Sequence, residues 1–473
     1  MNIFRAYDIR GTYPEQISPD LGRKVGFAFG QMVKEKAAKS GFSEKSGKIK
    51  IAVGADARLG AREVKKAAIE GLVSSGVHVV DIGHVPTPLV YFAVVTMGLD
   101  AGIQVTGSHN PKEYLGFKFC GRGAEPLGYD DGIDEIEAFC NSKREILPMQ
   151  EGSSEEKDIK EDYVDFVSKR IKLERPFHVV VDAGNGVAGD VSRRLFEKLG
   201  CSVDCIYCEP DGNFPNHIAN PSNTETLRSL QGRVREAGAD LGIAFDGDGD
   251  RVGFVDRKGK VIPNDMVFSL FIEKTLKERP GAKVAYDLLC SRLVEDVIKR
   301  NGGVSLVSKV GYPFLRKMMK ENGAVLGGES SLHVYFSENF SYDDGMFAAV
   351  KFLESLHSTD LEDFCKGLPK YITSKNTSIF CRDDDKFSVM DTIKDSFKKQ
   401  GIEFSGIDGV KVFFRDGWGA IRPSNTQPAL VMRWEASNEK AFREIEDFLR
   451  SEVLKVMKNY GIATSEGVDK HAG

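Results

Sequence analysis

The 473-residue sequence contains no apolar run approaching the ~18 residues of a membrane span. Its amino end, MNIFRAYDIRG, carries Arg5, Asp8 and Arg10 where a secretory signal would carry an apolar core, so a cytoplasmic location and no membrane partner are expected. There is no basic excess. Against 65 Lys and Arg stand 70 Asp and Glu, a net charge of −5, which argues against nucleic acid as a partner. A local basic pocket for an anionic metabolite is still allowed. Cysteine is sparse: eight residues, scattered, suit reduced thiols better than a disulfide frame. Only Cys201, Cys205 and Cys208 cluster, in CSVDCIYC. That segment lacks a second paired half and reads as a strand after a helix, so no metal site is expected there. No sequence repeat is obvious either.

What is present reads as an ordinary globular chain, with 41% hydrophobic and 29% charged residues. At roughly 100–200 residues per domain, the length suggests three or four domains. Short apolar runs alternate with helical patterns: KIAVGAD (50–56) before REVKKAAIEGLVSSG, HVVVDAGNG (178–186) before VSRRLFEKLG, and AKVAYDLLC (282–290) before SRLVEDVIKRNGG. Strand, helix, strand indicates α/β layers. The expected fold class is α/β: three similar mixed-sheet domains over 1–150, 151–257 and 258–371. A C-terminal α+β domain follows over 372–473, with strands GVKVFFRD (409–416) and PALVMRWEA (428–436) before a long helix. The Lys-, Glu- and Ser-rich stretch 141–162 reads as a solvated linker, and 34–50 as a solvated helix end and loop. The tail after Gly461 is expected to fray.

Four segments carry chemistry. FDGDGDR (245–251) follows the apolar run ADLGIAF, so it lies at the carboxyl end of a strand, where α/β sheets bind ligands. Single glycines separate Asp246, Asp248 and Asp250, which lets the backbone aim alternate carboxylates at one point. Clustered carboxylates need a cation between them, and hard oxygen ligands select Mg²⁺ or Ca²⁺. An EF-hand is excluded, because Arg251 and Arg257 stand where its Gly and Glu would be. TGSHNP (106–111) follows AGIQV, and a Ser flanked by Gly at a strand end is expected to leave Ser108 exposed and open to a ligand. Asn110 and Pro111 exclude a nucleophile elbow, and His109, adjacent in sequence, is expected to point away from Ser108. RPSNTQP (422–428) offers Arg422, Ser424, Asn425 and Thr426 to a phosphate. GGESSLH (327–333) offers Glu329 and Ser331 to two neighbouring sugar hydroxyls.

Taken together with the opening FRAYDIRG, these segments resemble the α-D-phosphohexomutase superfamily, in its phosphomannomutase/phosphoglucomutase branch, in the family's order from residue 4 to about 455. The resemblance implies an active site in a central cleft and transfer of phosphate between O1 and O6 of glucose or mannose phosphates. A hexose 1,6-bisphosphate serves as intermediate and activator. It implies a phosphorylated Ser108, with Mg²⁺ on Asp246, Asp248, Asp250 and a phosphoserine oxygen, and Arg251 beside it. Tyr7, Arg10 and Lys118 should approach the reacting end. Glu329 and Ser331 should hold sugar hydroxyls, His333 should contact a phosphate or hydroxyl, and Lys309 belongs to the substrate-binding set. Arg422, Ser424, Asn425 and Thr426 should grip the other phosphate. Monomer and homodimer are both admissible.

The chain departs from the pattern in three places. Ser330 and Leu332 replace a common Met and Gly in the sugar loop. Leu289 stands where the branch often has Lys, and Tyr312 where it often has His. Leu289 cannot move a proton, and a phenol near its ordinary pKa is a poor base, so the acid/base group stays open, with Lys118 and Arg10 nearest. Three rival readings remain. A phosphoglucosamine mutase more often carries Ser-Gly-Thr in its phosphate loop. An Mg²⁺-dependent sugar phosphatase would leave Ser108 and the 422–428 loop unexplained. A non-catalytic sugar-phosphate sensor draws on the missing Lys and His.

Overall fold

The computed structural model describes residues 3–39, 48–146, 152–356, 359–425 and 428–460. Two compact units emerge, one built from segments 2–264 and 331–359, the other from 265–330 and 360 onward. The tail after Gly461 lies outside the described residues, as do positions 40–47 of the lysine-rich stretch.

In the first unit, strands β1 (Ile9–Thr12), β2 (Lys50–Ala55), β3 (His78–His84), β4 (Ala101–Val105), β5 (Tyr114–Gly121) and β6 (Ser153–Glu156) form a sheet in the order β1-β5-β4-β2-β3-β6. Its β4-β2-β3-β6 part is parallel, and β5 and β1 add antiparallel at one edge. A second sheet holds β7 (His178–Asp182), β8 (Ser202–Ile206), β9 (Leu241–Phe245), β10 (Val252–Asp256) and β11 (Val261–Ile262), in the order β11-β10-β9-β7-β8. The central strands of both sheets are buried along their length, and their near-continuous apolar runs are what burial on two faces demands.

In the second unit, β12 (Lys283–Asp287), β13 (Val304–Ser308) and β14 (Leu326–Gly328) run parallel in the order β13-β12-β14. The short β15 (Val334–Phe336) falls back in the first unit's segment. An antiparallel sheet follows, from β16 (Ile372–Thr373), β17 (Thr377–Phe380), β18 (Phe404–Ser405), β19 (Val410–Phe414), β20 (Gly417–Pro423) and β21 (Ala429–Ala436). Helices Lys386–Lys399 and Glu439–Asn459 close its core through Ile393, Phe397, Ile445 and Leu449.

The expected linker at 141–162 is corrected in part. Residues 153–156 form β6, paired in parallel with β3, and a helix begins at Lys160. All four β6 residues, SSEE, are exposed. Their pairing rests on backbone hydrogen bonds at a sheet edge, and such a strand carries no apolar alternation to read.

The helices Pro19–Lys39 and Ala61–Ser74 cover the first sheet with their backbones in direct contact. A Cβ on Gly26 would lie 2.1 Å from the Ala68 carbonyl oxygen, and one on Gly71 2.0 Å from that of Arg23. This approach seats Val64, Ala68 and Leu72 against Ile51 and Val53 of β2, the strand that leads into the candidate site. Gly26→Ala should therefore lower the thermal midpoint. Overpacking of about 1–3 kcal/mol outweighs the gain in helix propensity of about 1 kcal/mol. A midpoint at or above that of the wild type in a melting curve would contradict the contact.

Candidate active site

The four loops singled out in the sequence each leave the carboxyl end of a strand: 106–111 after β4, 246–251 after β9, 329–333 after β14 and 424–425 after β20. In the first unit, the loops after β4 and β9 meet. Ser108 is buried, which corrects the expectation of an exposed serine, and has φ +51, a left-handed conformation that turns the chain sharply at the serine. Its Oγ donates to Asp246 Oδ2 at 3.2 Å. The same turn brings His109 Nδ1 to 3.2 Å from Ser108 Oγ, which corrects the expectation that His109 points away: alternation along an extended chain does not hold across a left-handed residue. Gly247 is required here, since a Cβ would lie 2.6 Å from the Ser108 carbonyl oxygen.

Two residues absent from the sequence reading hold the serine loop. Asp56, just past β2, accepts from Thr106 Oγ1 (2.7 Å) and from Gly107 N (3.1 Å). The Arg58 guanidinium donates to four carbonyls of the loop: Ser108 (2.7 Å), Asn110 (2.5 Å), Pro111 (2.6 Å) and Tyr114 (3.0 Å). Burial pushes the Asp56 carboxyl up and the Arg58 guanidinium down, with the attraction between them, at 3.3 Å, opposing both. The available signal was a strand end followed by an acid and a base, Asp56-Ala57-Arg58. Arg10, on β1, donates to the Gly107 carbonyl (2.5 Å) and to Asp8 (2.7 Å). Tyr7 lies half-buried in the preceding bend.

Asp246, Asp248 and Asp250 are fully buried, and each turns one oxygen into a group whose members all lie within 4.8 Å of one another. Lys118, on β5, donates to Asp248 (2.8 Å) and to Asp250, and Thr87 Oγ1 donates to Asp248 (2.6 Å). Burial, followed by repulsion from Asp250 and Asp248, raises the Asp246 carboxyl well above the usual range. Burial opposes ionisation of Asp248 too, but Lys118 overrides it and holds that carboxyl low. Burial works against the Lys118 charge, and the surrounding aspartates overcome it and keep the ammonium protonated well past its ordinary value. Burial, then Arg251, Arg10 and Lys118, keep His109 neutral.

Asp248 Oδ1 and Asp250 Oδ1 are buried without a hydrogen-bond partner among the described residues. Two such oxygens beside Asp246 and a serine hydroxyl form an all-oxygen donor set, which suits a hard divalent cation. Arg251 donates from its backbone to Asp246 (3.2 Å) and from Nε to His333 Nε2 (3.0 Å), and His333 Nδ1 faces Asp343 at 3.0 Å. Asp343, from the YDDG segment, was not read from the sequence. Ser331 lies in this unit as well.

The second unit carries Lys309, Glu329, Arg422, Ser424 and Asn425, while Thr426 lies outside the described residues. Arg422 is buried on β20. Its Nε donates to Asp408 (2.8 Å), and its Nη2 is buried without a partner among the described residues. Asp408 also accepts from Val310 N (3.1 Å), and Asn425 Nδ2 donates to the Val310 carbonyl (3.2 Å). Lys386 Nζ donates to the Ser424 carbonyl at 2.7 Å. Lys309 is exposed, 5.6 Å from the Phe314 ring centre. Glu329 is buried beside Ser330, whose backbone N–H (2.7 Å) and hydroxyl (3.0 Å) both donate to Asp287. Leu289 packs with Leu288, Trp418 and Ala420, and Tyr312 opens a helix as a buried residue.

The four domains described for phosphoglucomutase/phosphomannomutase match this chain in order: α/β/α domain I over residues 1–146, domain II over 161–259, domain III over 263–371 and the C-terminal domain over 381–452. A phosphomannomutase/phosphoglucomutase of Pseudomonas putida is 37% identical over 459 residues, covering 96% of each chain. A phosphoglucomutase of Neisseria gonorrhoeae is 37% identical over 450 residues, 94% of this chain and 95% of its own. A crystal structure of a phosphoglucomutase/phosphomannomutase family protein from Burkholderia thailandensis superimposes with a TM-score of 0.86 at 36% identity, covering 96% of this chain and 98% of that one.

The Arg58 fork generates a prediction. Arg58→Lys keeps the charge, but a single ammonium cannot reach four carbonyls spread along the loop. Each hydrogen bond lost from a charged donor costs about 1.5–3 kcal/mol. The variant should unfold at lower urea and lose turnover together; wild-type values of both would show that the fork does not hold the loop.

Proposed function

From the premise that the chain belongs to the phosphoglucomutase/phosphomannomutase family, we propose that it moves phosphate reversibly between O1 and O6 of glucose and/or mannose phosphates through a phosphoserine at Ser108. The observation that carries this reading is the Ser108 hydroxyl, 3.2 Å from Asp246, beside two buried carboxylate oxygens that accept no hydrogen bond among the described residues. In the first half-reaction the phosphorus–oxygen bond at Ser108 breaks as the free hydroxyl of a hexose monophosphate bonds to phosphorus and gives up its proton. A hexose 1,6-bisphosphate and an unmodified serine result. The second half-reaction returns the other phosphate to Ser108.

We assign Mg²⁺ to Asp246, Asp248, Asp250 and a phosphoserine oxygen; when bound, it neutralises charge on the transferring group. Lys118 and Arg10 then act as fixed positive charge, because Lys118 is held protonated by Asp248 and Asp250 and Arg10 is committed to Asp8 and Gly107. Such preorganised charge is worth most where water is excluded. Neutral His109 fixes the serine oxygen by a hydrogen bond. Arg251 is held through its Nε by His333. Tyr7 is assigned to the reacting end, and Glu329 and Ser331 to sugar hydroxyls, on the family resemblance alone.

For the non-reacting phosphate we assign Arg422, with Ser424, Asn425 and Thr426. The buried Nη2 of Arg422, which has no hydrogen-bond partner among the described residues, supports an anion as its partner, and Lys309 adds an exposed charge in the same unit. A cytoplasmic setting fits the eight free cysteines.

Intact-mass analysis of purified protein should show one added phosphate, which peptide mapping places on Ser108. Ser108→Ala should lose turnover by orders of magnitude in a coupled assay with glucose 1-phosphate and mannose 1-phosphate. Free phosphate released without isomer product would overturn the mutase reading. Arg422→Ala should cost about 2–5 kcal/mol in kcat/KM. Part of that loss belongs in kcat, because remote binding energy also orients the sugar. An unchanged kcat/KM would remove Arg422 from the site.

A further inference from the structure

The cysteine cluster set aside as a metal site has a geometry of its own. Cys205 and Cys208 are three residues apart, and on an extended strand they would point to opposite faces. Here β8 ends at Ile206 and Tyr207 takes φ +54, which turns the chain. Cys205 pairs in register with Val181 of β7, and Cys208 Sγ lies 3.7 Å from the carbonyl of that same Val181. Cys205 is exposed on the edge strand, Cys208 is half-buried, and both are free thiols.

The segment that follows is tied to the serine loop. Asn185 N donates to the Tyr207 carbonyl (2.7 Å), Asn185 Nδ2 to the Glu209 carbonyl (2.8 Å), and Asp211 N to the Asn185 carbonyl (2.9 Å). Gly212 forms a parallel bridge with Arg58, and a Cβ on Gly212 would lie 2.5 Å from the Ala57 carbonyl oxygen and the Leu59 nitrogen. The Arg58 guanidinium sits 5.0 Å from the Phe214 ring centre. Arg58 is the residue that holds four carbonyls of the loop bearing Ser108. A continuous packed segment therefore runs from the cysteine pair to the base of that loop.

We propose that Cys205 and Cys208 form a reversible disulfide with low-molecular-weight disulfides as oxidant, and that closing it loosens the grip of Arg58 on the serine loop. The Cys205 thiolate attacks one sulfur of the oxidant, breaking its S–S bond and releasing one thiol. Deprotonated Cys208 then attacks the mixed disulfide at the Cys205 sulfur, releasing the second thiol. Two electrons pass to the oxidant, and the protein loses two hydrogens. Cys205 is suited to attack: the Cys208 thiol and Arg193 favour its thiolate against the cost of burial, while the same contact raises Cys208. The inference rests on the proposed function only through the serine loop, so its first readouts do not require turnover.

The test equilibrates full-length protein in buffers of reduced and oxidised glutathione. A non-reduced peptide map should join Cys205 to Cys208 at the oxidised end, and dithiothreitol should reverse it. Amide exchange over residues 106–111 should rise in the oxidised protein. Misplacing a reacting group is costly, so mutase turnover should fall by about tenfold. Cys205→Ser should keep reduced-state turnover and lose every response. No Cys205–Cys208 link at an oxidised poise, a link with unchanged exchange over 106–111, or a Cys205→Ser protein that still responds would each overturn the proposal. Absent turnover in fully reduced wild type would fail the mutase reading instead, leaving the map and the exchange data to decide this one.

Discussion

Three buried carboxylates repel one another, and the first unit is arranged around that repulsion. Asp246, Asp248 and Asp250 come from one short loop, where single glycines leave no room to spread them apart. The compensation comes from elsewhere in the chain: Lys118 from β5, Thr87 from the start of a helix, and Ser108 from the loop after β4. Each donor belongs to the first sheet's part of the unit and each acceptor to the second's, so the two sheets dock through the chemistry that needs them. A buried charge without partners is costly, and Asp248 Oδ1 and Asp250 Oδ1 accept no hydrogen bond among the described residues, with His333 Nδ1 3.7 Å from the latter.

The second unit poses the opposite problem. Arg422 is buried with one carboxylate, Asp408, fixing its Nε and an Nη2 that has no hydrogen-bond partner among the described residues. Asp408 also takes a backbone N–H from Val310, so the arginine's orientation is set by the strand end after β13. Glycine makes this approach possible, since a Cβ on Gly409 would sit 2.2 Å from the Ile421 carbonyl oxygen. The first unit thus gathers buried carboxylate oxygens, and the second, taken by itself, buries a guanidinium.

The α/β class and the placement of the four segments at strand ends were legible because they rest on local patterns: apolar strands, then glycine, then a polar side chain at the strand end. Contacts that depend on a single backbone angle were not. His109 lies beside Ser108 only because that serine is left-handed, which its side chain gives no reason to expect. β6 was hidden because SSEE has nothing to bury. Asp56, Arg58, Asp343 and Asp408 were missed for a third reason. Each acts by holding another loop, and the partner is distant in sequence: Arg58 pairs with residues 108–114, and Asp408 with Arg422 and Val310. Ordinary surface acids and bases have the same local signature.

The first unit is not continuous in the chain; its last piece, 331–359, is reached only after 265–330. That piece brings His333 and Asp343 to Arg251 and Asp250, and Phe352 to stack on Phe254 at 4.2 Å. A chain emerging from the ribosome therefore makes its acidic loop long before the residues that flank it, and must carry that loop incomplete while an intervening segment belonging to the other unit is synthesised. Gene fragments cut at residue 264 would inherit the same deficit, so the aspartate loop and its supports are transmitted as one long reading frame and not as a portable module.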